Sequence, residues 1–326
     1  MKNVRKQFHW TVLPWVFLLA GTICIVGQAR ASTSTKKSVV RVSHSGARAS
    51  YGQLAGLHSV DDPLSLRSSV ALVEDESTAD ILFAKNTHAV LPIASITKLM
   101  TALVVLDAQL PLDEMLRVSD DDVDTEKYTR SRLRVGTELS RGDLMHLALM
   151  ASENRAASAL GHNYPGGIEA FVAAMNAKAA ELGMLNSHFV DSSGLHSSNV
   201  SSAGDLVRLV RVASLRREIR EFTTCDQYEV RINGRRQMFN NTNRLVRSAS
   251  WDIGLSKTGF INEAGSCLVM QATILGRKVV IVLLDSIGKY SRLGDANRIR
   301  QWLEKSLPQK ISQSKLEPSA QLASGT

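Results

Sequence analysis

Three cysteines in 326 residues are too few for a disulfide scaffold, and no Cys-x-x-Cys pair suggests zinc. The eight histidines show no metal-ligand spacing. The acidic run Asp120, Asp121, Asp122, Asp124 and Glu126 lacks the glycine and closing glutamate of a calcium loop, so it reads as solvated. Neither a metal nor a cofactor is expected. Lone histidines such as His146 and His188 read as surface or hydrogen-bonded residues. Proline is scarce at 7 residues, and neither a repeat nor a low-complexity stretch occupies the middle of the chain, which excludes a fibrous protein. A hydrophobic content of 44% excludes a wholly disordered one.

Acids are absent from the first 60 residues, and this locates the formal charge of +8. Residues 1–31 hold Lys2, Arg5, Lys6 and Arg30 around an uncharged apolar stretch from Trp10 to Val26, closed by Ala29-Arg30-Ala31. That is the layout of a secretory signal peptide cut after Ala31, with an uncleaved membrane anchor as the rival reading. Residues 32–64 read as a flexible spacer whose Lys36, Lys37, Arg41 and Arg48 suit a weak hold on an anionic cell wall or membrane. Residues 306–326 read as a disordered tail. With the ends removed, residues 61–304 sum to −2, so the folded part has no basic surplus for nucleic acid.

Within residues 65–305, Ser69–Glu74 with Asp80–Lys85 and Cys267–Thr273 with Lys278–Leu284 predict two β-hairpins. Between them Ile96, Leu99, Met100 and Leu103 recur at helical spacing, as do Leu144, Leu147 and Ala148. Ser140 to Asp143 and Ser202 to Asp205 are helix-opening patterns, and 295–303 predicts a terminal helix. Strands at both ends with helices between them predict an α+β domain with one antiparallel sheet.

Ser95-Ile-Thr-Lys98 opens the first strong helix and puts Lys98 beside Ser95. A serine hydroxyl is a weak nucleophile until a base takes its proton. Lys98 can be that base only when neutral, and a fall in its pKa from about 10.4 towards 7 costs on the order of 4 kcal/mol. Burial or a neighbouring cation would supply the shift. Alone the motif is weak, since Ser-x-x-Lys also occurs at Ser34, Ser286 and Ser312. Ser152-Glu-Asn154 at a helix-to-helix break and Lys257-Thr-Gly259 before the second hairpin change its weight. The ordered set Ser-x-x-Lys, Ser-x-Asn, Lys-Thr-Gly is that of serine acyl-transfer sites.

Over roughly residues 65–305 the chain resembles the low-molecular-mass penicillin-binding proteins, in particular their D-alanyl-D-alanine endopeptidase type. The resemblance rests on Pro92–Met100, Ala148–Ala157, Tyr164–Gly167, Asn241–Asn243 and Lys257–Phe260. It implies the penicillin-binding-protein/β-lactamase-like transpeptidase fold, a central antiparallel sheet flanked by helices. It also implies a periplasmic peptidase cutting peptidoglycan cross-links and acylated by β-lactams. In that scheme Ser95 is the nucleophile, Lys98 its base and Ser152 the proton relay to the leaving amine. Asn154, Lys257, Thr258 and Gly259 bind substrate, and the backbone N–H groups of Ser95 and Phe260 hold the oxyanion.

A D,D-carboxypeptidase uses the same site, and many carry a further β-rich domain and a C-terminal anchor. Only 67 residues follow Gly259, which favours the endopeptidase expectation. A class A β-lactamase would need a deacylating glutamate, and the nearest string, Glu181 to Asn186, is one residue too long. The intact Ser95, Lys98 and Lys257 count against a non-catalytic muropeptide-binding protein. Pairing of Cys225 with Cys267 stays open.

Overall fold

Residues 279–284 are apolar at every position, which a strand tolerates only when both of its faces are covered. The computed structural model describes residues 48–314, with side chains to 306, and buries that run between two layers. The described chain begins with a short helix α1 (Tyr51–Leu54), capped by Ser50, and the hairpin β1 (Ser68–Asp75) and β2 (Ile81–Lys85). A two-residue strand β3 (Leu91–Pro92) and a 3-10 turn (Ala94–Ile96) lead into α2 (Thr97–Asp107).

The helical layer continues through the ribbon β4 (Met115–Arg117) and β5 (Glu138–Ser140), then α3 (Arg141–Met150), α4 (Asn154–His162) and α5 (Gly167–Glu181). Strand β6 (Val200–Ser201) pairs with β3 and precedes α6 (Ala203–Leu215) and α7 (Arg217–Thr224). A second ribbon, β7 (Gln227–Ile232) and β8 (Arg235–Asn240), comes before β9 (Asp252–Ile261), β10 (Gly265–Ile274), β11 (Arg277–Ser286) and α8 (Ser291–Ser314).

The five long strands form one antiparallel sheet in the order β2-β1-β11-β10-β9, so both expected hairpins are present and their first and last strands meet. Leu275 and Gly276, both at positive φ, form the two-residue turn between β10 and β11. Alternation then sorts the side chains by face. Val280, Val282 and Leu284 pack with the helical layer, while Val279, Ile281 and Leu283 pack with Ala296, Ile299 and Leu303 of α8. The sheet is thus a partition between two cores, and β9 is its edge strand beside the helical layer.

Ser140 and Ser202 cap α3 and α6 as their patterns predict, each accepting from the backbone N–H three residues on. The reciprocal acids are used elsewhere. Asp143 accepts from the Tyr228 hydroxyl, and Asp205 from Ser187 and the Asn186 N–H.

Residues 48–64, read from composition as the end of a flexible spacer, fold onto the domain. The Tyr51 N–H donates to the Glu263 carbonyl, His58 Nε2 lies 3.0 Å from buried Asp285, and Asp62 pairs with buried Lys85 at 2.7 Å. Serine, glycine and alanine are equally suited to a spacer and to capped turns, and the partners that decide the matter are remote in sequence. The predicted terminal helix starts earlier, at Ser291, and runs to Ser314 through part of the expected tail. The signal segment 1–31, residues 32–47 of the spacer and residues 315–326 lie outside the described residues. Among the described residues no helix is long and apolar enough to cross a membrane.

Candidate active site

Ser95 sits in the 3-10 turn ahead of α2 rather than in the α-helix itself. Residues three apart eclipse in a 3-10 turn, which brings the Lys98 Nζ to 2.7 Å from the Ser95 Oγ. The turn is anchored from below. Ala94 has φ 47°, Thr97 Oγ1 donates to the Ala94 carbonyl, and Gly194 at φ 80° lies against it. A Cβ on Gly194 would stand 2.0 Å from the Ala94 carbonyl oxygen. Gly194→Ala is therefore expected to cost about 2–4 kcal/mol of stability through backbone strain and overpacking. Acylation by a labelled penicillin should slow in the same variant, because relief of the clash moves the serine turn. An unchanged urea midpoint together with unchanged acylation would refute this.

Lys98 is fully buried, and burial brings its pKa down from 10.5 to about 7, against the pull of Asp191 and Glu153. Its Nζ also meets Asn154 Oδ1 at 2.8 Å and the Ser193 carbonyl at 2.5 Å. A neutral amine has two N–H bonds and one lone pair. Two obligate acceptors take both hydrogens, which leaves the lone pair for the Ser95 hydroxyl. That is the arrangement a base needs.

The Asn154 amide owes its orientation to the acidic run. Asp124 can only accept, and it receives the Thr129 hydroxyl at 2.7 Å and three backbone N–H groups. Thr129 Oγ1 must then accept from Asn154 Nδ2, at 3.0 Å, which turns Asn154 Oδ1 to Lys98. Asp122 is buried and holds His162 at 2.8 Å. The run is thus a structural element of the site's wall, where sequence alone reads it as solvated. Burial also corrects His146, which stacks between Phe222 and Tyr228 with its pKa lowered to about 4. His188 is exposed.

Across the cleft, Lys257 Nζ donates to Ser152 Oγ at 2.8 Å and to the Thr258 carbonyl at 2.9 Å. Ser152 has φ 58°, a left-handed turn that separates α3 from α4. Among the described residues Ser152 bonds to Lys257 and not to Lys98, so the two lysines hold separate hydroxyls. Burial first, then the charges of Lys98 and Arg292, push Lys257 well below its ordinary value. For Lys98 burial is the cause of the fall, and the expected contribution of a second cation is not among its causes.

Thr258 Oγ1 donates to Thr242 Oγ1 at 2.7 Å, and the side chains of Asn241 and Asn243 brace the Thr242 turn. Gly259 is where β9 meets the serine turn. A Cβ there would be 2.8 Å from the Ile93 carbonyl oxygen and 3.1 Å from the Ser95 nitrogen. Phe260 follows on β9 with an exposed side chain. The three motifs therefore converge on one cleft.

Local pattern assigned no role to Thr129, Ser193, Gly194 and Arg292, took Asp124 as solvated, and marked Thr242 only as the centre of Asn241–Asn243. Only Asp191-Ser-Ser-Gly194 carried a signal, that of a tight turn, and Asp191 does accept from the Ser193 and Gly194 N–H groups. Arg292 lines a cavity of about 540 Å³ beside Phe260, and among the described residues its guanidinium has no carboxylate partner. Glu181, the nearest lactamase-like glutamate, ends α5 and pairs with Lys178, away from Ser95. Asp191 is occupied by the turn it shapes. No free carboxylate is hydrogen-bonded to Ser95 or Lys98 among the described residues. Cys225 and Cys267 are both free thiols.

Residues 57–288 match the family model described as D-alanyl-D-alanine carboxypeptidase. A D-alanyl-D-alanine endopeptidase of Pseudomonas aeruginosa is 48% identical over 241 residues, covering 73% of this chain and 78% of its own length. The protein of the same name from Escherichia coli is 45% identical over 241 residues, with the same two coverages. Among solved structures, the Streptomyces K15 DD-transpeptidase superposes with a TM-score of 0.69 at 27% identity, over 74% of this chain and 98% of that one.

Proposed function

Because this chain belongs to the D-alanyl-D-alanine carboxypeptidase family, we propose that it is a serine D,D-peptidase of peptidoglycan that cuts D-alanyl-diaminopimelate cross-links. The observation that carries the mechanism is the Ser95–Lys98 pair, with both amine hydrogens committed to Asn154 and Ser193.

Neutral Lys98 takes the Ser95 proton as Oγ attacks the D-alanyl carbonyl carbon. The oxyanion that forms is held by the backbone N–H groups of Ser95 and Phe260. The proton that Lys98 took passes through Ser152 to the amine as the C–N bond breaks, which leaves Lys98 neutral again. Water then attacks the acyl-enzyme, with Lys98 again as base, and releases Ser95. β-Lactams would enter by the same first step and stop at the ester. Among the described residues no carboxylate is hydrogen-bonded to Ser95 or Lys98, which supports a long-lived acyl-enzyme over fast lactamase turnover.

The carboxylate next to the scissile bond falls to Lys257, Thr258 and Arg292. An incoming anion would restore the charge that burial and mutual repulsion take from Lys257. Arg292→Ala is expected to raise KM for a soluble peptide substrate by at least tenfold with little change in kcat, since a charge-assisted hydrogen bond is worth about 1.5–3 kcal/mol. Steady-state kinetics check this, and an unchanged KM would remove Arg292 from the site. The reading places the protein in the periplasm, reached through the leader at residues 1–31.

Digestion of purified sacculi with mass analysis tests the function. Cross-linked dimers falling to monomers support endopeptidase action. Pentapeptides falling to tetrapeptides, with dimers intact, mean a carboxypeptidase.

A further inference from the structure

We infer that the arginine-lined groove between residues 130–135 and the β7–β8 ribbon is a second binding site, one that holds free carboxylates of the peptide strand leading to the cross-link. The groove has a volume of about 590 Å³ and is lined by Ser131, Arg132, Arg134, Asn233, Arg235 and Gln237, with Ile232. It rests on the reading of the protein as a peptidoglycan peptidase and adds where a polymeric substrate is gripped beyond the scissile bond.

Charge is the first observation. Residues 130–135 and 227–240 hold six arginines and one acid, Glu229, in a domain whose residues 61–304 sum to −2. Glu229 faces Arg236 at 3.5 Å, and its register partner is Met238. Arg235 and Gln237 lie on the other face of the ribbon, the one that carries buried Phe239. Arg134 and Arg235 have no ion pair among the described residues. Guanidinium groups converging on one concavity without a counter-charge repel each other, and a bound anion relieves that cost.

Preorganisation is the second. The Arg132 guanidinium stacks 3.6 Å from the centre of the Phe239 ring and donates to the Met238 carbonyl at 2.7 Å. Arg155 fixes the same 130–135 wall by donating to the Leu133 carbonyl at 2.7 Å. An arginine already fixed loses less entropy when it takes a carboxylate.

Position is the third. One wall starts two residues after Thr129, whose hydroxyl orients Asn154, a span of about 7 Å at most. The other wall runs from Gln237 into Thr242, which is bonded to Thr258. Both walls are therefore tied through short stretches of chain to residues that brace the cleft. A concave groove of this size suits an extended peptide bearing carboxylates better than a flat bilayer.

The test uses the full chain with Arg134 and Arg235, both exposed, replaced by serine together. In a Ser95→Ala background, binding to purified sacculi is measured by co-sedimentation across a salt series. The double replacement should weaken binding about tenfold and flatten its salt dependence, as two charge-assisted contacts are lost. With Ser95 intact, penicillin acylation should stay within about twofold of the parent, since the β-lactam does not reach the groove. Equal retention by sacculi with an equal salt slope would overturn the inference. So would retention of the parent on phosphatidylglycerol vesicles but not on sacculi. Should the parent bind sacculi and acylate yet cut no cross-link, the proposed function fails while the groove stands.

Discussion

Ser95→Ala is expected to abolish covalent labelling by penicillin and to lower cross-link cleavage by about 10⁴-fold or more, the scale seen when a serine nucleophile is removed. The fold should survive, because among the described residues the Ser95 hydroxyl has a single hydrogen-bond partner, Lys98, which keeps Asn154 and the Ser193 carbonyl. Gel fluorography of the acylated band, muropeptide analysis and a urea titration of the same preparation give the three readouts. A residual cleavage rate near that of the parent would exclude the acyl-enzyme on Ser95. Loss of the fold would show that the serine turn depends on the hydroxyl, contrary to its contacts.

Lys98→Met should lower the acylation rate by roughly 10²–10⁴-fold, the range of a positioned general base. Methionine is unbranched and only one atom shorter than lysine, so the cleft keeps nearly its shape while the amine is lost. In the parent, acylation should rise tenfold per pH unit up to about 7 and then level off, because only the neutral amine accepts the proton. The methionine variant should show no such inflection.

Stability changes in a linked way. A folded pKa of about 7 against 10.5 means that the unfolded chain binds more protons between those values, so stability rises with pH across that window. The parent should therefore gain stability relative to Lys98→Met between pH 7 and 10. An inflection that persists in the variant, or an acylation rate in the parent that is flat below pH 7, would assign the base to another group.

Much of the fold was legible in local pattern. The β10–β11 hairpin needs only two apolar runs and a Leu275-Gly276 turn that accepts positive φ, and all of that information lies within 22 residues of chain. The caps on α3 and α6 are equally local, a serine and the N–H three residues on. The three motifs that meet in the cleft were legible for the same reason, since each is a short string that depends on its own spacing.

The remainder required partners far apart in sequence. Asp122 and Asp124 look like any solvated acidic run until Thr129, Asn154 and His162 are seen to close on them. Composition assigned residues 48–64 to a spacer, and only contacts with Asp285, Lys85 and Glu263 show that they belong to the domain. His146 became a buried, stacked ring because α7 and β7 supply Phe222 and Tyr228.

By itself the sequence determined the chemistry available: a serine, two lysines, a second serine and an asparagine in the order that acyl transfer uses, on a near-neutral α+β domain. Tertiary structure alone decided which lysine serves which serine. Lys98 reaches Ser95 through a 3-10 turn, while Lys257 reaches Ser152 across the cleft from a strand 105 residues away. The physical reason is that both lysines are basic in water and equivalent in sequence. Both are equally buried, and what separates them is their partners in the packed molecule, where Asn154 and Ser193 claim the hydrogens of one amine and leave its lone pair to Ser95.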